Sequence, residues 1–348
     1  MKTIMKTLLV SIASFSLMFS ANAGDLAVSG TAKATYNAAS GTQKENGIGI
    51  TNELNFKASG EMDNGYAWSY RLELDPSTGS AAGGETAGAA IADDAEIALT
   101  MNDMGTIKFC VSECSTSNKY AWDNSAYTSM TDTGFDEGIV YPTNEMAYAS
   151  IQYHSPELPF GSKLSASYGN KKTDGQSGNT QGPAGGESIE AYAFTAVPVD
   201  GLTAKVSYMK ERQYADGKPD DQLNEGGGWS LNYAYGNATI SYGRTYVAPT
   251  DTTDARVGTT TQEYVKNRGM SIGYAVNDQL SVSYTKEISE QSMQTSATTT
   301  YDIEADSIQA AYSLGGATLS IARADYENAG YVQNADRHET IIAMSFAF

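Results

Sequence analysis

The sequence predicts an all-β chain whose sixteen antiparallel strands close into a transmembrane barrel. Three observations lead there: two-residue alternation of apolar side chains in segment after segment, a secretory leader at the amino end, and short turns alternating with long polar loops. The alternation is plainest in residues 339–348. Phe348, Phe346, Met344, Ile342 and Thr340 share one parity, and Ala347, Ser345, Ala343, Ile341 and Glu339 share the other. Successive strand side chains point to opposite faces, so this is a strand with one apolar face and one mostly wettable face. About ten residues is what a tilted strand needs to cross a bilayer. On a soluble sheet such a strand would be an aggregation-prone edge. A closed barrel has no edge.

The leader comes from the other end. Lys2 and Lys6 precede an uncharged, mostly apolar run over residues 7–19, and Ala21-Asn22-Ala23 places small residues at a cleavage spacing. This predicts a signal peptide over residues 1–23 and a mature chain over 24–348. No other stretch reaches the roughly 18 apolar residues of a spanning helix. With both leader lysines removed, the chain carries 20 basic against 41 acidic residues, a formal charge of −21. That balance excludes a nucleic-acid binder. The mean hydropathy of −0.37 would be far too low for a helical membrane protein. It suits a barrel, in which half of each strand faces a polar lumen.

The first strand has Val28, Gly30, Ala32, Ala34 and Tyr36 on one parity. The second has Ile48, Ile50, Asn52, Leu54, Phe56 and Ala58, with Glu53 and Lys57 opposite. Asn64-Gly65 then gives a tight hairpin turn. The third strand sets Tyr66, Trp68, Tyr70, Leu72 and Leu74 against Ala67, Ser69, Arg71 and Glu73. After a Gly/Ala-rich loop over 76–92, Ala95, Ile97, Leu99 and Met101 mark the fourth, and residues 106–111 the fifth. Further short turns fall at 155–161, 198–201, 236–237, 276–279 and 315–316. Long polar loops fall near 170–186, 213–227, 247–262, 289–302 and 326–336. The intervening strands are expected over 202–208, 229–235, 238–242, 270–274, 280–284, 308–314 and 317–321, several finishing on an outward Tyr (Tyr208, Tyr242, Tyr284) as in an aromatic girdle. Arg244, Lys286 and Arg323 fall on the outward parity, which requires either snorkelling at the rim or a bulge. Residues 188–196 leave the parity open. A secreted β-sandwich or adhesin would also alternate, but it gives no reason for an apolar outward face on nearly every strand.

One region breaks the rhythm. Residues 112–144 follow the short fifth strand without alternation, and a connection that long is generally functional. If the strand ends at mid-membrane height, this segment can fold into the lumen and narrow it; otherwise it is an acidic surface loop. Asp132, Asp136 and Glu137 are its candidate functional carboxylates. Facing them, Lys33 and Arg71 point inward near mid-strand by parity, and Lys205 does so nearer its turn. Cys110 and Cys114 sit at the root of the segment, where a disulfide could brace it in an exported protein. Neither has the Cys or His neighbours of a zinc site. Acidic loops could also hold structural Ca²⁺ or Mg²⁺. An outer-membrane barrel enzyme would need a nucleophile–base pair; His154 lies beside a short turn and His338 near the outer mouth, and no motif accompanies either.

Residues 149–161, Ala-Ser-Ile-Gln-Tyr-His-Ser-Pro-Glu-Leu-Pro-Phe-Gly, followed by Lys-Leu-Ser-Ala-Ser-Tyr over 163–168, resemble the strand-turn-strand after the constriction loop of Gram-negative general porins. Met104-Gly-Thr-Ile-Lys-Phe109 and the terminal Phe348 are similar too. Gln152 stands where that family often has an inward arginine. The resemblance implies a 16-stranded homotrimeric barrel, a third loop (residues 111–145) folded into the pore, and assembly guided by Phe348. It implies passive diffusion of small hydrophilic solutes and ions through an outer-membrane pore. Lipopolysaccharide, outer-membrane lipid and the assembly machinery are the implied partners. The acidic excess predicts cation preference. A substrate-specific porin for a sugar, phosphate or amino acid is the nearest rival.

Overall fold

Sixteen strands pair edge to edge, each antiparallel to its neighbours, and the first closes on the last. The computed structural model describes residues 25–41, 46–74, 92–111, 122–130, 135, 138–142, 148–171, 188–212, 224–249, 262–293 and 299–348. In chain order the strands are β1 (Asp25–Gly41), β2 (Asn46–Glu61), β3 (Ala67–Leu74), β4 (Ala92–Thr100), β5 (Thr106–Val111), β6 (Tyr148–His154), β7 (Lys163–Lys171) and β8 (Ser188–Val199). They continue with β9 (Leu202–Arg212), β10 (Glu225–Tyr235), β11 (Ala238–Ala248), β12 (Gln262–Ala275), β13 (Leu280–Met293), β14 (Ile303–Ser313), β15 (Ala317–Glu327) and β16 (Arg337–Ala347). Among the described residues no helix is long and apolar enough to cross a membrane.

The two faces fall as the alternation requires. On β16, Ile342, Met344 and Phe346 are 44%, 39% and 44% exposed, whereas Ile341 and Ala343 are 5% and 2%. The register carries this parity around the wall, with irregularities only near strand ends, at Leu72/Leu74, Ala196/Val199 and Gln262/Tyr264 among the described residues. Lys33 lies opposite Ser345 and Thr51, Arg71 opposite Lys57 and Glu96, and Lys205 opposite Thr195 and Ser230. Residue 348 extends the β1–β16 seam by one step beyond Thr31 opposite Ala347. The Gly30 and Phe348 backbones exchange two hydrogen bonds, N to O 2.7 and 3.0 Å. A glycine is needed there, since a Cβ at Gly30 would sit 2.8 Å from the Phe348 ring.

Short turns occupy one end of the barrel, at the positions the sequence indicates. Gly105 shows why they are tight: φ is 88° and a Cβ would lie 2.4 Å from the His154 carbonyl oxygen. Only glycine accepts both demands.

Toward the long-loop end the structure corrects the expected strand limits. β9 runs to Arg212, β11 to Ala248, β13 to Met293 and β15 to Glu327, while β10, β12 and β14 begin at Glu225, Gln262 and Ile303. Tyr208, Tyr242 and Tyr284 therefore lie within strands rather than at their ends. Arg244, Lys286 and Arg323 are outward with no bulge at any of them; the irregularity recorded in β12 lies between Gln262 and Tyr264. The apolar pattern stops there, but the hydrogen-bonded ladder does not. In β8 the open parity resolves with Ile189, Ala191 and Ala193 inward and Tyr192 and Phe194 outward.

Candidate functional site

Of the segment between β5 and β6, the described residues 122–130, 135 and 138–142 lie inside the barrel, against one side of it. A buried backbone needs partners for its N–H and C=O groups, and the inner faces of β11–β15 supply them. The Asn124 amide donates to Ser271 Oγ at 2.9 Å, and its side chain donates to Ser241. The Ala126 amide donates to Ser283 Oγ at 2.8 Å. Gln309 clamps the next two residues: its Oε1 accepts from the Tyr127 and Thr128 amides, both at 2.9 Å, and its Nε2 donates to the Thr128 carbonyl at 2.7 Å. Asn267 Nδ2 donates to the Val140 carbonyl at 2.8 Å, Tyr141 OH donates to Glu287, and Tyr326 OH to the Phe135 carbonyl.

Shape completes the dock. Trp122 lies over Gly243 and Gly269, where an added Cβ would meet its ring at 2.6 and 2.0 Å. Further along, Met130, Phe135 and Ile139 join inward Val247, Val265, Ile303, Ala322, Ala324, Tyr326 and Ile341 in one apolar cluster. Phe135 is wholly buried. This explains Ile341, the apolar exception on the wettable face of β16: it faces packed protein, not water. The dock was missed from sequence because its partners lie 117–191 residues apart.

The opposite side of the lumen carries charge. Lys33 extends over the Tyr127 ring, Nζ 5.7 Å from its centroid. Arg71 donates from Nε to Asn55 Oδ1 at 2.7 Å and pairs with Glu73. Lys108 pairs with Glu96 at 3.0 Å. Inward Lys57 lies opposite Arg71, and Glu53 opposite Thr31. Lys57 and Lys108 thus join Lys33 and Arg71, and both were legible from parity. Lys205 is inward but lies on β9, apart from this group. Asp123 at the loop's start accepts from the Ser125 amide at 2.8 Å. Burial pushes its carboxyl above the ordinary carboxylate range, against the hydrogen bonds from Ser125 and Thr285.

Asp132, Asp136, Glu137 and Cys114 lie outside the described residues. Cys110 is inward and buried on β5, Sγ 3.9 Å from Glu96 Oε2. Gln152 is inward and buried, hydrogen-bonded to His154 at 2.9 Å. His338 lies at the long-loop end of β16 on its outward face, paired with Asp325 at 2.6 Å. Among the described residues no group of three or more His, Cys, Asp or Glu could hold a metal ion.

A closed sixteen-stranded barrel with a chain segment pinned across its interior is an architecture already known. The chain has the porin fold. A porin refined at 1.8 Å resolution covers 93% of this chain over 100% of its own, at TM-score 0.64 and 17% identity. OmpF of Salmonella typhi, solved in complex with daunomycin, covers 93% over 98% of its own at TM-score 0.70 and 15% identity. The anion-selective porin of Comamonas acidovorans covers 93% over 100% at TM-score 0.63 and 14% identity. A scan against protein-family models gives no match, and neither does a comparison with curated protein sequences. The porin fold is thus retained where sequence identity has nearly vanished, and it is compatible with anion selectivity in at least one protein. Ion preference must come from the side chains that each chain places in the lumen.

Proposed function

We propose that this chain is an outer-membrane porin of a Gram-negative cell, passing small hydrophilic solutes and ions by passive diffusion. The observation that carries the reading is the segment pinned to β11–β14, which fills one side of the lumen and leaves the charged face of β1–β5 lining the other. A water-filled lumen removes the cost of taking polar solutes through hydrocarbon, and the constriction sets size and charge preference. Lys33, Lys57, Arg71 and Lys108 on the wall and carboxylates on the segment would set up a transverse field across the opening. The wall cations are largely matched by Glu53, Glu73 and Glu96, so the acidic segment tips the balance and the pore prefers cations.

The assembly is a homotrimer, each copy turning β1–β7 toward the others. The described outward side chains of those strands include Val28, Ile50, Phe56, Trp68, Ile97, Phe109 and Tyr153 and no charged residue. Acidic outer loops would take up Ca²⁺ or Mg²⁺, and Phe348 at the seam would be the residue read by the outer-membrane assembly machinery. The catalytic alternative has less support: His154 is hydrogen-bonded to Gln152 and His338 is paired with Asp325, and no sequence motif accompanies either.

The test is single-channel recording in planar bilayers with a salt gradient. Stepwise conductance, linear in salt and with a reversal potential of cation sign, is expected. Neutralising Asp132, Asp136 and Glu137 together should move the reversal potential toward zero. Saturation by one sugar, phosphate or amino acid would instead favour a substrate-specific pore, and an unchanged reversal potential would place the three carboxylates away from the constriction.

A further inference from the structure

The connection between β15 and β16 is held in an unusual backbone. Asn328, Gly330, Tyr331 and Asn334 are all left-handed, with φ of 57°, 65°, 63° and 58°. Asparagine and glycine tolerate that region, but a bulky aromatic residue enters it only as an outlier. Such strain persists where the surroundings over-determine it. Here they do: Tyr331 is 6% exposed and belongs to the apolar cluster that holds Phe135 and Ile139 of the lumen segment. The Ala329 amide donates to the Ala335 carbonyl at 2.8 Å, and the Asn334 amide to Asn328 Oδ1 at 3.0 Å. Asn328 Nδ2 in turn donates to the Asp302 carbonyl at 3.1 Å, which ties this connection to the one between β13 and β14.

The Tyr331 hydroxyl begins a chain of hydrogen bonds whose direction is fixed by its far end. There the Val140 carbonyl can only accept, so the group facing it at 2.8 Å is Asn267 Nδ2. Asn267 Oδ1 therefore faces Ser289, whose single hydroxyl proton goes to it at 2.6 Å. Ser289 Oγ has only lone pairs left for Tyr331, at 2.8 Å, and the tyrosine donates. The second Nδ2 proton goes to Thr245 Oγ1 at 2.9 Å. Thr245, Asn267 and Ser289 lie side by side on β11, β12 and β13, and all three are buried. The chain thus runs from the outer connection to the lumen segment with no donor facing a donor. A second contact accompanies it: a Cβ at Gly138 would lie 3.2 Å from Gly330 Cα. Both reach residues 138–142, whereas 122–130 are held by Ser271, Ser283 and Gln309 of the wall.

We propose that the β15–β16 connection is an outer catch for the lumen segment, with Tyr331 the positioning residue that holds Val140 to the wall through Ser289 and Asn267. The strained backbone keeps the phenol at the depth where the chain of donors begins. The effect on pore width rests on the porin reading; the effect on the segment does not.

Hydrogen exchange of the refolded full chain in detergent micelles, resolved by peptide mass spectrometry, tests the catch without a channel measurement. A net hydrogen bond shifts an opening equilibrium by about fivefold. Tyr331→Phe keeps the ring and removes the donor, so the amides of 138–141 should exchange about fivefold faster while those of 122–130 stay unchanged. Ser289→Ala should do the same, and adding Tyr331→Phe to it should bring no further loss, because the chain is already cut. Tyr312→Phe removes a hydroxyl that bonds Gln279 on the outward wall and should change neither stretch. In planar bilayers Tyr331→Phe should spend about five times longer than wild type at wider conductance levels. Heat-modifiable gel mobility checks folding; were Ser289→Ala to fail it, the Tyr331→Phe and Tyr312→Phe pair still decides. Unchanged exchange at 138–141 in Tyr331→Phe would overturn the proposal. So would additive loss in the double variant, which would make the two hydroxyls independent, or equal acceleration in Tyr312→Phe, which would make it general loosening. Faster exchange in a chain that forms no channel would uphold the catch and sink the porin reading instead.

Discussion

The two sides of the lumen obey one strand geometry and are built from different residues. On β11–β14 the inward positions include Ser241, Gly243, Gly269, Ser271, Ser283 and Gln309, small or amide side chains that accept a foreign backbone and make room for Trp122, together with buried Glu287, which accepts from Tyr141 OH. On β1–β5 they include Lys33, Glu53, Lys57, Arg71, Glu73, Glu96 and Lys108. Period two decides only which side chains enter the barrel. What they do there depends on whether protein or water lies opposite them. A neutral, hydrogen-bonding face can be buried under a loop at little cost, whereas a charged one must stay wet or be paired.

Four substitutions would sharpen or break that contrast. Phe135→Ala empties the centre of the docked cluster and should cost about 3–5 kcal/mol, read as a lower thermal midpoint together with larger, noisier single-channel currents. A loss as small as that at an exposed loop position would mean the segment is not packed in solution. Gly269→Leu sets a side chain where the Trp122 ring lies and should cost about 1–3 kcal/mol; conductance should rise as the segment lifts. Lys33→Gln with Lys57→Gln acts on the other side. It should leave the unfolding free energy within about 1 kcal/mol while shifting the reversal potential further toward cations. A reversed pattern, with stability lost and selectivity kept, would exchange the roles assigned to the two sides.

The smallest effect concerns Asp123. Its carboxyl is held above the usual range by burial, so the folded chain binds that proton more tightly than the unfolded chain. The group therefore costs stability where it is ionised, at neutral pH, and the cost is relieved as pH falls through the folded value. Asp123→Asn should raise the neutral-pH midpoint slightly and flatten its change as pH falls from neutral toward the ordinary aspartate value. Calorimetry at stepped pH gives the answer, and a steeper profile in the variant would contradict the burial.

Much of the wall was legible because one physical rule repeats. Ile342, Met344 and Phe346, like Val28 or Trp68, could be placed by parity alone, and so could inward Lys33 and Arg71. Legibility failed where that rule meets a second demand. Arg244 and Arg323 end the apolar lettering while the ladder runs on, because interstrand charge pairs and snorkelling replace apolar contact near the headgroups. The dock failed differently: Ser271 or Gln309 looks like any lumen residue until the loop lies on it, and nothing local announces a contact across more than a hundred residues.

The seam has a consequence for how such a wall comes into being. Every neighbouring pair of strands is consecutive in the chain except β1 and β16, which bring Lys33 opposite Ser345. Fifteen hairpins can form from nearby residues, and one pairing must wait for segments some 300 residues apart to find each other. Until it does, the growing ribbon carries two open edges with greasy faces, and such edges recruit any strand they meet. Long-range pairing is also the slow kind. The journey across an aqueous compartment must therefore be made with those edges shielded, and ring closure becomes the committing event of folding.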